Sequence, residues 1–195
     1  MLLGLLCSRC WCGPDTAIVG NSVSTATTNR LALTMNSTIQ HLLAAVLLDQ
    51  TEAKEPQQAA LPKAEQEAFG HRVAQLFEYA LPLSYLDILG QTDGLDCNGV
   101  VLYASRLYTK NERFSLQGFV EANILLRGYQ PNRYFLYFAE SGMDFYRHNL
   151  QTGKFEISAR IGGTVFDSFE TAEELFTQVL NHILGKYGEE EDDDK

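Results

Sequence analysis

Cysteine is scarce in the body of this chain, and tryptophan is almost absent from it. Of the four cysteines, three lie in the first twelve residues, at Cys7, Cys10 and Cys12, and Cys97 stands alone. This distribution is not that of a disulfide framework. No second group of cysteines or histidines follows Cys12 at a spacing that would complete four metal ligands. We therefore expect no metal site and no cofactor.

Long hydrophobic runs are also missing. No segment approaches the roughly 20 apolar residues that a membrane helix needs. The opening Met1–Leu6 is apolar, but it lacks a basic n-region and its run ends at Cys7, which is short for a signal peptide. We expect a soluble, cytoplasmic protein with no membrane partner.

Basic residues are in deficit: 15 lysines and arginines face 25 acidic residues, for a net charge of -10. The terminal run Glu189–Asp194 supplies about half of that excess. An acidic chain is poorly suited to bind nucleic acid or an anionic membrane directly. It suits a basic protein partner, because complementary fields raise the encounter rate, although the same charge can serve solubility alone.

The motifs of common catalytic centres are absent. Ser141 lacks both glycines of the nucleophile elbow. The segment Asp93–Gly99 does not fit a calcium loop, because the positions of the first and last ligands fall on Gly94 and Ser105, and we interpret it as a turn. The histidines are far apart and outside any motif: His41, His71, His148 and His182. We expect no enzyme, while catalysis by residues that only folding brings together stays open.

The chain divides into four stretches by composition. Residues 1–34 are rich in Ser, Thr, Asn and Gly, which predicts a disordered leader, or upstream sequence translated from a wrongly assigned start before Met35. Residues 35–60 predict a short amphipathic helix over Ser37–Leu48 followed by a linker. Residues 61–186 form the main domain. Residues 187–195 are an acidic tail, typical of a solvated terminus.

Periodicity within 61–186 predicts an α+β fold. Apolar residues recur at helical spacing in Lys63–Tyr79, in a short segment opened by Pro82, in Ser115–Leu126, and after the capping-box pair Thr171 and Glu174. Strand patterns occur in Val100–Tyr103, Tyr134–Ala139, Val165–Phe166, and a hairpin of Asp144–Leu150 with Phe155–Ile161. This order predicts an antiparallel sheet with helices packed on one side.

A series of short motifs resembles the SMI1/KNR4 (SUKH) family, with the YrhA-like bacterial branch as the nearest match. The resemblance covers Leu61–Leu184, about two thirds of the chain, and depends on the order and spacing of the motifs. They are Leu81-Pro82-x-x-Tyr85-Leu86-x-Ile88-Leu89, Thr92-Asp93-Gly94, Glu121-x-Asn123, Phe138-Ala139-Glu140-Ser141-Gly142, Thr152-Gly153-Lys154 in the hairpin, and Phe166-Asp167-Ser168-Phe169.

The resemblance implies a function in protein binding. Bacterial proteins similar to this one are immunity proteins for polymorphic, contact-dependent or Rhs-type toxins, so the implied partner is a cognate protein toxin, such as a basic nuclease. The alternative is a regulatory or scaffolding module of the same fold. The chain departs from the family in two places: its single tryptophan is Trp11, outside the domain, and His148-Asn149 stands where relatives commonly have Tyr-Asp.

Six residues are candidates for partner binding. They are polar or aromatic and lie in or beside the turns that carry the family pattern: Asp93, Asp96, Glu121, Tyr129, Glu140 and Asp144. Each of them could instead serve turn geometry or helix capping.

Overall fold

The computed structural model describes residues 36–111 and 114–186, so the predictions for the leader 1–34 and the tail 187–195 lie outside the described residues. Within them are five α-helices: α1 (Ser37–Glu52), α2 (Lys63–Phe77), α3 (Leu83–Leu89), α4 (Phe119–Arg127) and α5 (Ala172–Ile183). The eight strands are β1 (Leu95–Cys97), β2 (Val100–Leu102), β3 (Tyr108–Asn111), β4 (Phe114–Leu116), β5 (Phe135–Ser141), β6 (Asp144–Asn149), β7 (Lys154–Ala159) and β8 (Val165–Phe169).

Six of the strands form one antiparallel sheet in the order β1-β2-β5-β6-β7-β8, and β3 pairs with β4 in a separate hairpin. A short 3-10 turn, Gln130–Tyr134, leads from α4 into β5. The predicted α+β class, with helices on an antiparallel sheet, is confirmed.

The helices pack on one face of the sheet through a cluster of aromatic rings. Phe176 of α5 contacts Phe138 of β5 edge to face at 5.5 Å and stacks on Tyr85 of α3 at the same distance. Phe119 of α4 meets Phe138 at 5.3 Å. Each buried ring removes a large apolar area from water, so this cluster dominates the core.

Helix α1 belongs to the same core. Ile39, Leu43 and Val46 are buried, and α1 lies against α5. The composition predicts that this helix lies apart from a domain starting at residue 61, because the segment after it contains proline and glutamine and indicates a linker. An apolar helical stripe does not reveal which surface it covers, and here that surface is α5.

The β6–β7 hairpin and the start of α5 form as predicted. Gly153 adopts φ 74° in the turn, which a residue with a side chain tolerates poorly. Thr171 and Glu174 form the reciprocal capping box, in which the Thr171 hydroxyl accepts the Glu174 N–H and the Glu174 carboxylate accepts the Thr171 N–H.

Two local predictions are wrong. The helix expected over 115–126 begins only at Phe119, because Leu116 lies in β4 and Gly118 bridges to Ala104. The segment interpreted as a turn after Asp93 contains a three-residue strand, β1, paired with β2. In both places tertiary pairing overrides local propensity.

Candidate functional site

The sheet face turned away from the helices, here called the outer face, carries charged and aromatic side chains in cross-strand rows. In one row, Tyr137 of β5 pairs with Arg147 of β6, which pairs with Glu156 of β7. In the next row, Glu140 pairs with Phe145, which pairs with Ser158. Residues in one row lie about 5 Å from the next strand, so these groups form one continuous layer. Most of them are buried, with Arg147, Glu156 and Phe145 the slightly exposed members of the two rows beside half-buried Glu140.

A buried ion pair lies at the centre of the outer face. Both Nε and Nη2 of Arg147 contact Oε2 of Glu156 at 3.0 Å, and Asn149 donates to Oε1 at 2.8 Å. The Arg147 guanidinium also lies 3.7 Å from the ring centroid of Phe135. Removing one partner of such a pair would leave the other charge buried, at a cost of about 3–5 kcal/mol.

A second arginine, Arg160, lies just after β7 and is held by the end of β5. Its Nη1 contacts Oε2 of Glu140 at 3.1 Å and donates to the Ser141 carbonyl at 3.2 Å. Tyr103, fully buried, hydrogen-bonds Glu140, and burial followed by this carboxylate raises the pKa of Tyr103. The phenol therefore stays protonated at neutral pH and orients Glu140.

These two arginines line one cavity of about 340 Å³ on the outer face. Its lining also includes the aromatic residues Phe135, Tyr137 and Phe145 and the Gly162–Gly163 turn. The volume falls in the range of small-molecule and side-chain pockets. Aromatic rings and arginine are the residue types enriched where protein interfaces derive most of their binding energy.

Two of the six predicted site residues lie on the outer face. Asp96 of β1 pairs with Val101, which pairs with Glu140, so the two acids occupy the same cross-strand row. Asp144 is the first residue of β6 and alternates with the outer-face residue Phe145, and the Ser141 hydroxyl accepts its N–H at 2.9 Å. Desolvation, and then the Glu55 charge, raise the pKa of Asp96.

Asp93 is fully buried. Its carboxylate accepts hydrogen bonds from the Ser105 N–H at 2.7 Å, the Ser105 hydroxyl at 2.6 Å and the Tyr108 hydroxyl at 2.5 Å. This geometry assigns Asp93 to the turn that joins α3 to the sheet and leaves no face of it for a partner.

Glu121 and Tyr129 occupy other positions. Oε1 of Glu121 forms an ion pair with Arg72 at 3.0 Å, which links α4 to α2. Tyr129 is 68% exposed and precedes the 3-10 turn that contributes Asn132 to the cavity lining. Of these two, Tyr129 is the more exposed.

The candidate list missed the arginines and their aromatic neighbours, although the sequence contained a signal for them. A hairpin centred on the 151–154 turn places Arg147 opposite Glu156, as the structure confirms. An opposite-charge pair flanked by buried strand positions marks a polar cluster on one sheet face. The contribution of Arg160 and of the glycine turn required the tertiary structure.

The described part of the chain offers no metal-binding cluster and contains one free, buried cysteine. No group of three or more His, Cys, Asp or Glu side chains there could hold a metal ion. Cys97 is buried, and desolvation followed by Glu55 raises the pKa of its thiol to about 11, so the nucleophilic thiolate is a minor form. None of the helices described is both long and apolar enough to span a bilayer.

Comparison with known proteins adds no relative. No family model, no curated protein and no solved structure matches the chain.

Proposed function

We propose that this protein is a cytoplasmic immunity protein that binds a cognate toxin domain, such as a basic nuclease from a polymorphic, contact-dependent or Rhs-type system, and neutralises it by occlusion. The outer face carries this proposal. It combines a cavity lined by aromatic residues, two arginines held by carboxylates, and acids in the adjoining row. Inhibition by binding needs a preorganised surface of this kind and no reacting group.

Preorganisation is the property of the outer face that favours binding. Arg147 is only 6% exposed and is held by Glu156 and the ring of Phe135. A side chain that is already ordered loses little conformational entropy when a partner docks, so more of the contact energy appears as affinity.

The surroundings of the cavity supply an apolar and acidic margin. Met143 in the β5–β6 turn and Ile161 after β7 are 79% and 91% exposed, and Val165 of β8 extends the row of Phe145 and Ser158. Asp144 adds negative charge next to Met143, and Asp96 adds it in the row of Glu140. A partner with a basic rim around an apolar centre complements this arrangement.

Co-expression with the toxin domain encoded in the adjacent gene tests the proposal. We expect cells to survive an otherwise lethal toxin when this protein is present, and the two proteins to co-purify. Val165→Glu, which places a charge on the outer face, should reduce survival. Leu83→Glu is the matched control, because Leu83 is 55% exposed at the start of α3 in the helix layer.

Lethality in the presence of the folded protein, with a toxin shown to be active, would contradict the proposal for that pair. Survival that neither Val165→Glu nor Leu83→Glu reduces would show that the toxin does not dock on the outer face. Co-purification with several proteins and no toxin would favour the regulatory or scaffolding alternative.

A further inference from the structure

The two arginines of the outer-face cavity have hydrogen-bond donors that the fold does not use. Arg147 contacts Glu156 through Nε and Nη2, whereas Arg160 contacts Glu140 and the Ser141 carbonyl through Nη1 alone. Arg147 also hydrogen-bonds the side chain of Tyr137. Among the described residues, Nε and Nη2 of Arg160 have no hydrogen-bond acceptor at bonding distance. A guanidinium carries five N–H donors, so several remain for a ligand.

The same two arginines are fixed in position by groups on their other side. The guanidinium carbon of Arg147 lies 3.7 Å from the centre of the Phe135 ring, and the guanidinium carbon of Arg160 lies 5.1 Å from the centre of the Phe145 ring. The carboxylates of Glu156 and Glu140 hold them but do not line the cavity. The lining therefore presents positive donors and aromatic faces to its contents, without a carboxylate.

We propose that this cavity binds a carboxylate on an apolar stem, presented as an acidic side chain of the protein partner. The inference rests on the proposed function and names the contact within it. A carboxylate has two acceptor oxygens in one plane and matches guanidinium donors better than any neutral side chain does. The rings of Phe135, Tyr137 and Phe145 would cover its methylene stem.

This contact would let an acidic protein distinguish its partner from other basic proteins. The acids at Asp96 and Asp144 attract many basic surfaces, so they select partners weakly. A site that requires one acidic group at a defined distance from a basic rim disfavours basic proteins that lack it, because docking them would remove water from the arginine donors without supplying an acceptor.

Binding of small probes tests the cavity without a toxin. Phenylacetate carries a carboxylate on an aromatic stem, and phenylacetamide is its neutral match. Titration of the full chain followed by ¹H–¹⁵N and ¹H–¹³C NMR should show saturable phenylacetate binding that shifts signals of Arg160 and Phe145. Phenylacetamide should bind at least about tenfold more weakly.

Arg160→Gln is the variant of choice, because the Arg160 side chain is 43% exposed and its partner Glu140 keeps the hydrogen bond from Tyr103. It should weaken phenylacetate binding at least about tenfold. Arg106→Gln, whose side chain is 60% exposed outside the cavity, should leave binding unchanged. Urea unfolding of each variant verifies that it is folded. Equal binding of the two probes, no binding of either, or full binding by Arg160→Gln would overturn the inference.

The failure of this inference is distinguishable from that of the proposed function. Toxin neutralised equally by wild type and Arg160→Gln, with no phenylacetate binding, would remove the carboxylate site and keep immunity. Specific phenylacetate binding without neutralisation of an active toxin would support the carboxylate site. It would contradict the assignment of that toxin as the partner.

Discussion

At Asp93 one carboxylate organises the turn between α3 and the sheet by accepting three hydrogen bonds from Ser105 and Tyr108. Asp93→Ala should lower the free energy of unfolding by about 3 kcal/mol, because buried donors are left without an acceptor. Asp96→Ala, on an exposed side chain, should cost less than about 0.5 kcal/mol. Urea denaturation measures both. Equal losses would mean that Asp93 has no special structural role.

His148 should make stability depend on pH. It is half-buried, its Nδ1 lies 2.8 Å from the Tyr79 hydroxyl, and its ring stacks on Phe155. Desolvation lowers the pKa of His148 below its ordinary value of 6.5. The unfolded chain therefore binds the proton more readily than the folded one, so the contribution of neutral His148 is complete above pH 6.5 and decreases as the pH falls.

The test is the urea midpoint of wild type and His148→Gln between pH 5 and pH 8. We expect the difference between the two proteins to change in favour of His148→Gln as the pH falls through about 6.5. Using the difference removes the contributions that are common to both proteins. Parallel midpoints over the whole range would contradict a depressed pKa.

At the scale of elements, α1 tests where the folded domain begins. Leu43 is buried against the core and Leu48, on the same helix, is 56% exposed. Leu43→Ala should destabilise the protein by about 2–5 kcal/mol, and Leu48→Ala by less than about 0.5 kcal/mol. Similar small effects at both positions, measured by urea unfolding, would show that α1 is an appendage.

Elements with one strong periodicity were predictable from sequence. The stripe of α5 with its capping box, and the alternation of β7 around Gly153, both match the structure because local and tertiary preferences agree there. The segment around Gly118 offers apolar residues at both helical and strand spacing, so only the bridge to Ala104 decides it. A three-residue strand such as β1 has too few positions to show a period.

The outer face was less predictable than the fold. Arg147 and Glu156 are nine residues apart and meet through the register of one hairpin, which turn position indicates. Arg160 reaches Glu140 across three strands, and that contact depends on the order of strands in the sheet. Sequence-based selection favoured polar residues in turns, and it therefore included Asp93. The Asp93 carboxylate is already used by its hydrogen bonds within the fold.

In the whole molecule, the acidic chain carries a concave site on the outer face. The helices cover one side of the sheet and the core fills the space between them, which leaves the outer face as the side on which strands, arginines and exposed apolar residues meet. The net charge of -10 favours approach to a basic partner. Under the proposal made above, the cavity fixes how that partner is seated.

We propose above that the protein acts by binding a toxin through the outer face. Isothermal titration of the full chain with the purified, active toxin domain tests it most directly. We predict a saturable 1:1 complex, weakened at least about tenfold by Val165→Glu and unchanged by Leu83→Glu. Absence of binding heat with a toxin shown to be active and free of other inhibitors would contradict toxin binding. Equal affinities of the two variants and wild type would contradict binding through the outer face.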